Sequence, residues 1–261
     1  MSTPRPVRIV EWNLAVYRRI WKSNILTSFL QPILYLLAMG VGVGTLVNAN
    51  SASSQTLEGL SYVAYVAPGL LATTAMMVAA IESMYPVIDA LVWGRQYEAI
   101  AATPLDADDI VSAHLLWMIL RVGLAAGTVA AVMALFPDVR SWGLIPAVPV
   151  AVLTGLAFGM PLGAFTVTQR RDMAFPLIQR FVLVPLFLFG GAFFPLSSLP
   201  PFVRLIGYVT PLWHGVEVCR ALTTDLTMSA AVAVGHIVYL LLWAVVGTVL
   251  MRRLTHRRLF T

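Results

Sequence analysis

Long apolar runs separated by short polar breaks set the pattern of this chain. They cover about 26–47, 62–85, 113–136, the stretch from the turn at 137–140 to 168, then 177–194 and 230–251. A helix that crosses a bilayer takes about 20 predominantly apolar residues, so each run is read as a span. The expected fold class is all-α and polytopic, with six transmembrane helices in a single domain covering 1–261.

Three polar or mixed stretches break the pattern in ways that carry information. Over residues 1–24, Ile9, Trp12, Val16, Tyr17 and Ile20 recur on one side at helical spacing, with Arg8, Glu11, Arg18, Arg19 and Lys22 opposite. A basic, aromatic, two-faced helix of this kind lies in the membrane interface. Over 89–111, Trp93, Tyr97 and Ile100 are expected on one side and Arg95 and Glu98 on the other. Thr103-Pro104 stops this short helix, because proline has no N–H to continue it. Asp106 then caps the next helix, with Asp108 and Asp109 in its first turn. Over 195–225 the chain is too broken to cross simply and too apolar for a solvated loop. Irregular backbone at membrane depth is tolerated only inside protein or beside a water-filled cavity, so two short helices, 202–208 and 213–222, are expected as a re-entrant hairpin between spans five and six.

Composition and charge then fix the setting. The chain is 59% hydrophobic and 11% charged, with a mean hydropathy of +0.83, against about 25% charged residues in an average soluble domain. It is an integral membrane protein. The net charge of +5 comes from basic residues flanking the spans, the positive-inside pattern, and does not point to nucleic acid. Arg5, Arg8, Arg18, Arg19, Lys22, Arg95, Arg170, Arg171, Arg180, Arg252, Arg253, Arg257 and Arg258 fall on one side of the predicted path, and Arg140, Arg204 and Arg220 on the other. Both termini are expected on the cytoplasmic side, and no cleavable signal is expected before the first span. Cys219 stands alone and offers no internal disulfide.

Chemistry-bearing motifs are few. The sequence contains no P-loop, no Gly-x-Ser-x-Gly, no His-Glu-x-x-His and no paired cysteine ligands. His114, His214, His236 and His256 show no metal spacing, so no catalytic or metal residue is assigned. Glu82 and Arg121 are charges inside spans, where charge is costly and usually paired. They can sit at similar depth and pair, or Arg121 can snorkel to the interface while Glu82 meets water. Gly155, Gly159 and Gly163 repeat every four residues, the spacing of closely packed membrane helices, and are read as packing within the chain.

Several segments taken together resemble the permease subunits of type-2 ABC exporters, in the branch of daunorubicin-type drug and nodulation-factor lipo-oligosaccharide exporters. They are Gln31-Pro-Ile-Leu-Tyr35, Ala67-Pro-Gly-Leu-Leu71, Tyr97-Glu-Ala-Ile-Ala-Ala-Thr-Pro104, Gly190-Gly-Ala-Phe-Phe-Pro195 with Leu196 to Pro200, and Thr210-Pro-Leu-Trp-His-Gly-Val-Glu217 followed by Arg220. The resemblance implies a multi-pass subunit of the bacterial plasma membrane that pairs with a second permease subunit, identical or not, and recruits a cytoplasmic ABC ATPase. ATP and Mg would be held by that ATPase, with no cofactor in this chain. It further implies that Trp93, Gly94, Arg95, Tyr97, Glu98, Thr103 and Pro104 form the coupling helix that docks on the ATPase. The segment from 195 to 222 would close the outer exit, with Phe193, Phe194, Pro195, Pro211, His214, Glu217 and Arg220 as gate residues.

The expected function is ATP-driven export of an amphipathic drug, lipid or lipo-oligosaccharide out across the plasma membrane, with membrane lipid around the chain as a partner and Met76, Met77, Phe187 and Phe189 as candidates for an adaptable lining. A polysaccharide or wall-polymer exporter of the same architecture is the alternative. An ion-coupled carrier would show repeated halves and several buried charges, and a membrane enzyme would need an ionisable cluster at one depth.

Overall fold

In the computed structural model, which describes residues 5–49, 57 and 59–260, the chain is helical, and no strand occurs among the described residues. Helix α1 (Arg5–Leu37) runs on through a π-helical turn (Ala38–Val43) into Gly44–Asn48. The separate interfacial helix expected to end at residue 24 therefore does not form. No glycine or proline lies between Pro6 and Pro32, so nothing in the backbone stops the first helix there.

Helix α2 (Tyr62–Ile88) starts at Ser61, whose hydroxyl accepts from the Ala64 N–H at 3.3 Å. A π-helical turn (Asp89–Trp93) extends it well past the expected end. After the short α3 (Gln96–Ala101), helix α4 (Ala107–Met133) opens on a capping box. Asp106 Oδ1 accepts from the Asp109 N–H at 2.9 Å, and Asp109 Oδ2 accepts from the Asp106 N–H at 3.3 Å. Helix α5 is Leu144–Thr168. Helix α6, Ala174–Phe189, is shorter than the expected fifth span. It ends at Gly190, because Gly191 takes φ +83° and turns the chain. Two short helices follow, α7 (Pro201–Val209) and α8 (Pro211–Thr223), and then α9 (Ala230–Phe260). The C-terminal arginines lie on α9 itself rather than on a tail.

Among the described residues, four helices are long and apolar enough to cross a membrane: Tyr62–Trp93, Ala107–Met133, Leu144–Thr168 and Ala230–Leu259. The chain is thus a multi-pass membrane protein. Of its spans α2 is the most enclosed, with 78% of its apolar window buried, whereas α9 buries 22% and shows a broad face outward.

Helix α5 is the hub, packing on α2, α4, α8 and α9. Its glycines explain how. A Cβ at Gly155 would stand 2.9 Å from the Ala75 carbonyl oxygen, at Gly159 2.5 Å from Met118 Cε, and at Gly163 2.8 Å from Met251 Sδ. The glycine stripe is thus covered by α2, α4 and α9 of the same chain. At the opposite end from α3, a Cβ at Gly215 of α8 would fall 2.0 Å from Thr154 Oγ1, so α8 lies directly on α5.

Candidate functional site

The polar stretch after α2 is built around a break in helical phase. Gly94 N–H donates to the Asp89 carbonyl at 2.8 Å, closing the π turn, and Arg95 then adopts φ 48°, ψ 29°, the left-handed region. Side chains on either side of such a residue no longer share one helical period. Trp93 therefore does not join Tyr97 and Ile100 as periodicity suggests. It ends α2 and is 57% exposed, while Tyr97 is buried and Ile100 half-buried.

Tyr97 anchors α3 in a small apolar core with Val87, Leu91, Ile110, Val111 and Met251. Burial pushes its hydroxyl pKa above the ordinary tyrosine range. Gly94, Arg95, Glu98, Thr103 and Pro104 all face outward. Arg95 and Glu98 approach to 3.9 Å, an exposed pair of little energetic weight. Thr103 Oγ1 donates to the Ile100 carbonyl at 2.6 Å and closes the helix before Pro104. The result is a rigidly seated helix with a solvent-facing polar and aromatic surface. Residues outside the expected set tie α9 to the helices beside α3: Arg252 on α9 lies 3.7 Å from Asp108 and donates to Ser112 Oγ, both on α4, at 3.2 Å. Arg258 donates to the carbonyls of Val167 and Gln169. The sequence marks them only as charges at a membrane boundary; their partners on α4 and at the end of α5 follow from tertiary packing.

Above α3, Glu82 and Arg121 join α2 to α4. Arg121 Nε and Nη2 both lie 2.8 Å from Glu82 Oε1. Glu82 Oε2 accepts from Trp117 Nε1 at 3.2 Å, and the Tyr17 ring of α1 covers the guanidinium with its centroid 4.5 Å from Cζ. Both guanidinium nitrogens share Oε1, which leaves Oε2 to Trp117, and charge-assisted, mostly enclosed contacts of this kind are the strong ones. Trp117 stands four residues before Arg121, one turn along the same face, which is the signal that would have found it.

The seven residues grouped as an exit gate fall into separate clusters. Arg220, 3% exposed, is the centre of one. Its Nη1 lies 2.5 Å from Glu217 Oε1, its Nη2 donates to the Gly191 carbonyl at 2.8 Å, and its Nε donates to the Tyr65 carbonyl at 3.5 Å. Its Cζ also stacks 3.9 Å from the Tyr65 ring centroid. Phe193 belongs to a second cluster with Tyr35 and Phe187, at centroid distances of 5.6 and 5.1 Å, and Phe194 packs on Phe189 at 6.0 Å. Pro195 is half-buried beside that turn, and Pro211, buried, starts α8. His214 turns instead to α9, with its Nδ1 2.7 Å from His236 Nδ1 and its ring stacked on Tyr239 at 4.0 Å. Because the Tyr208 carbonyl 3.1 Å from His214 Nε2 can only accept, that nitrogen carries a proton.

Of the suggested lining, Met76 is fully buried in the chain's own core and lines no path in this conformation. Met77 and Phe187 are half-buried, and Phe189 is 41% exposed.

Sequence comparison adds independent findings. The family model described as ABC-2 type transporter matches residues 8–223. Nodulation protein J of Rhizobium meliloti (strain 1021) is 34% identical over 258 residues, covering 95% of this chain and 94% of that protein. Nodulation protein J of Rhizobium leguminosarum bv. viciae is 31% identical over 261 residues, with 97% of each chain covered. The inner membrane transport permease YadH of Escherichia coli (strain K12) is 27% identical over 217 residues, 79% of this chain and 78% of that protein.

Proposed function

Because this chain belongs to the ABC-2 type transporter family, we propose that it is the permease subunit of an ATP-driven exporter that moves an amphipathic drug, lipid or lipo-oligosaccharide outward across the bacterial plasma membrane. In this reading α1 and α6 join the four long apolar helices as six spans, and α7–α8 form the re-entrant hairpin. Both termini lie in the cytoplasm, because Arg95, Arg170, Arg171 and the α9 arginines gather at the α3 end. The permease works as a dimer with a cytoplasmic ABC ATPase, which holds ATP and magnesium. This chain is a transport subunit and not an enzyme.

The observation that carries the proposal is the seating of α3. A six-residue helix fixed by the buried Tyr97, with Trp93, Arg95 and Glu98 facing solvent, is a surface that takes force from a docked partner and passes it to α2 and α4. The Glu82–Arg121 pair ties those two helices together. Tyr65, near the far end of α2, lies about 42 Å from Trp93 at the helical rise per residue and touches Arg220 of the hairpin. One continuous helix thus connects the docking surface to the exit.

The test is co-purification of this chain with the ABC-type ATPase encoded beside it, comparing wild type with Glu98→Ala and Tyr97→Ala. The expected result is a complex that hydrolyses ATP, with hydrolysis reduced by Glu98→Ala in a chain that still elutes as wild type. Tyr97→Ala is expected to lose assembly, because it empties the anchor. An ATPase that does not bind, or a Glu98→Ala chain that recruits the ATPase and hydrolyses ATP as wild type does, overturns the proposal.

A further inference from the structure

A cavity of about 410 Å3 opens at the α3 end between α1, α2, α3 and α4. Ile9, Val16, Pro86 and Ile110 give it aliphatic wall, and Trp12 and Val16 remain about half exposed at its side on α1. An apolar wall beside an ionic lining suits an amphipath.

The charges of the lining decide which head fits. Arg121 is engaged twice by Glu82 and covered by Tyr17, so it has little left to offer an anion. Glu82 is itself satisfied by Arg121 and Trp117. The remaining charge, the carboxylate of the exposed Asp89, makes no hydrogen bond or ion pair among the described residues. It also stands where α2 gives way to its terminal turn, and a helix C-terminus favours positive charge. An anionic head would meet the Asp89 carboxylate, and no free cation lines the cavity among the described residues. A cationic head would gain the Asp89 carboxylate and the indole of the half-exposed Trp12, the kind of ring that attracts ammonium ions, whereas the Tyr17 ring is already engaged by Arg121.

We propose that this cavity takes the positively charged amine or quaternary ammonium head of an amphipath arriving from the inner leaflet. The inference names the substrate class of the exporter and rests on that reading. Binding itself is a property of this chain and is measured without the ATPase.

The experiment uses the full chain in nanodiscs of phosphatidylglycerol. The probes are a dansyl-labelled dodecylamine and its uncharged N-acetyl counterpart, read by energy transfer from tryptophan. The amine is expected to bind roughly fivefold more tightly, the upper range of an exposed ionic contact. The near-isosteric Asp89→Asn removes that preference, and Trp12→Leu weakens the amine more than the acetylated probe. Equal affinity for the two probes, or an Asp89→Asn chain that elutes as wild type and keeps the preference, overturns the proposal. Adding phosphatidylcholine to the discs identifies the source: competition assigns the head to a choline phospholipid, and its absence assigns it to a free amphipath. ATP hydrolysis by the assembled complex is followed in parallel. A hydrolysing complex without charge preference sinks the cation site alone, and charge-selective binding by a chain that recruits no ATPase sinks the exporter reading alone.

Discussion

Arg220 donates a hydrogen bond at 2.8 Å to the carbonyl of Gly191, 29 residues earlier in the chain. Gly191 is the residue whose φ of +83° ends the approach from α6. The same guanidinium lies over the Tyr65 ring of α2. A single buried cation therefore fixes three pieces of the hairpin end: the turn after α6, helix α8 and the start of α2. Gly69 on α2 completes the junction, since a Cβ there would stand 2.6 Å from Ala192 Cα.

Replacing Arg220 with methionine keeps most of the side-chain volume and removes every one of these bonds. Glu217, whose side chain is 30% exposed, would lose its cation, and the Gly191 carbonyl would lose its donor. Breaking a buried pair costs about 3–5 kcal/mol, and the partial exposure of Glu217 places this case at about 3 kcal/mol. The double variant Arg220→Met with Glu217→Gln is expected to recover part of the loss, because the half-buried carboxylate that faced Arg220 is then neutral. Thermal unfolding in nanodiscs checks both; a single variant as stable as wild type would show that the junction is held elsewhere.

The Glu82–Arg121 contact predicts an asymmetric rescue. Glu82→Arg places two guanidiniums together in a mostly enclosed site and is expected to lower the yield of folded chain and the ATP hydrolysis of the complex severely. Adding Arg121→Glu restores opposite charges but not the neighbours: Trp117 Nε1 then faces a cation, and the Tyr17 ring loses one. Recovery is therefore expected to be partial. A double reversal that restores nothing would mean that the pair does not join the two helices.

How much of this was legible depends on whether a feature is local. Asp106 is readable as a cap because its partner Asp109 is three residues away. The depth of Glu82 and Arg121 along two apolar runs makes them readable as neighbours. Periodicity tells which face of a helix is apolar but not where the helix stops, and so α1 passes residue 24 unbroken. It also assumes a constant phase, which Arg95 violates; Gly94 is the hint, since glycine favours helix ends. The meeting of His214 with His236 and Tyr239 depends on how α8 lies against α9 and leaves no mark in the spacing.

Glycine substitutions are expected to separate rigid from forgiving contacts. A Cβ at Gly159 meets Met118 Cε at 2.5 Å, the free end of a flexible side chain, whereas one at Gly69 meets the Ala192 backbone at 2.6 Å. Gly159→Ala is expected to cost less than Gly69→Ala, because the end of Met118 can swing and helix propensity returns about 1 kcal/mol, against small shifts of Ser83 Oγ at 3.0 Å and Ala79 Cβ at 3.2 Å. Gly69→Ala is expected to lower stability by about 1–3 kcal/mol, the cost of overpacking where the backbone must move. Unfolding midpoints of the two variants, measured side by side, check the order; the reverse order would contradict the packing described.

Arg95 allows stability and coupling to be separated at one position. Holding a residue with a Cβ in the left-handed region costs roughly 1–2 kcal/mol, which glycine avoids, although glycine gives back about half of that in unfolded-chain entropy. Arg95→Gly is therefore expected to leave the unfolding midpoint unchanged or slightly raised. The same change removes an exposed cation from the α3 surface, so ATPase recruitment or stimulation is expected to fall if that surface is the docking site. Arg95→Val is the control: a β-branched residue fits this backbone poorly, and both stability and recruitment are expected to drop. Should Arg95→Gly leave recruitment and hydrolysis at wild-type levels, the left-handed arginine would be a structural turn only. The docking surface would then have to lie on Trp93, Glu98 and the residues toward Pro104.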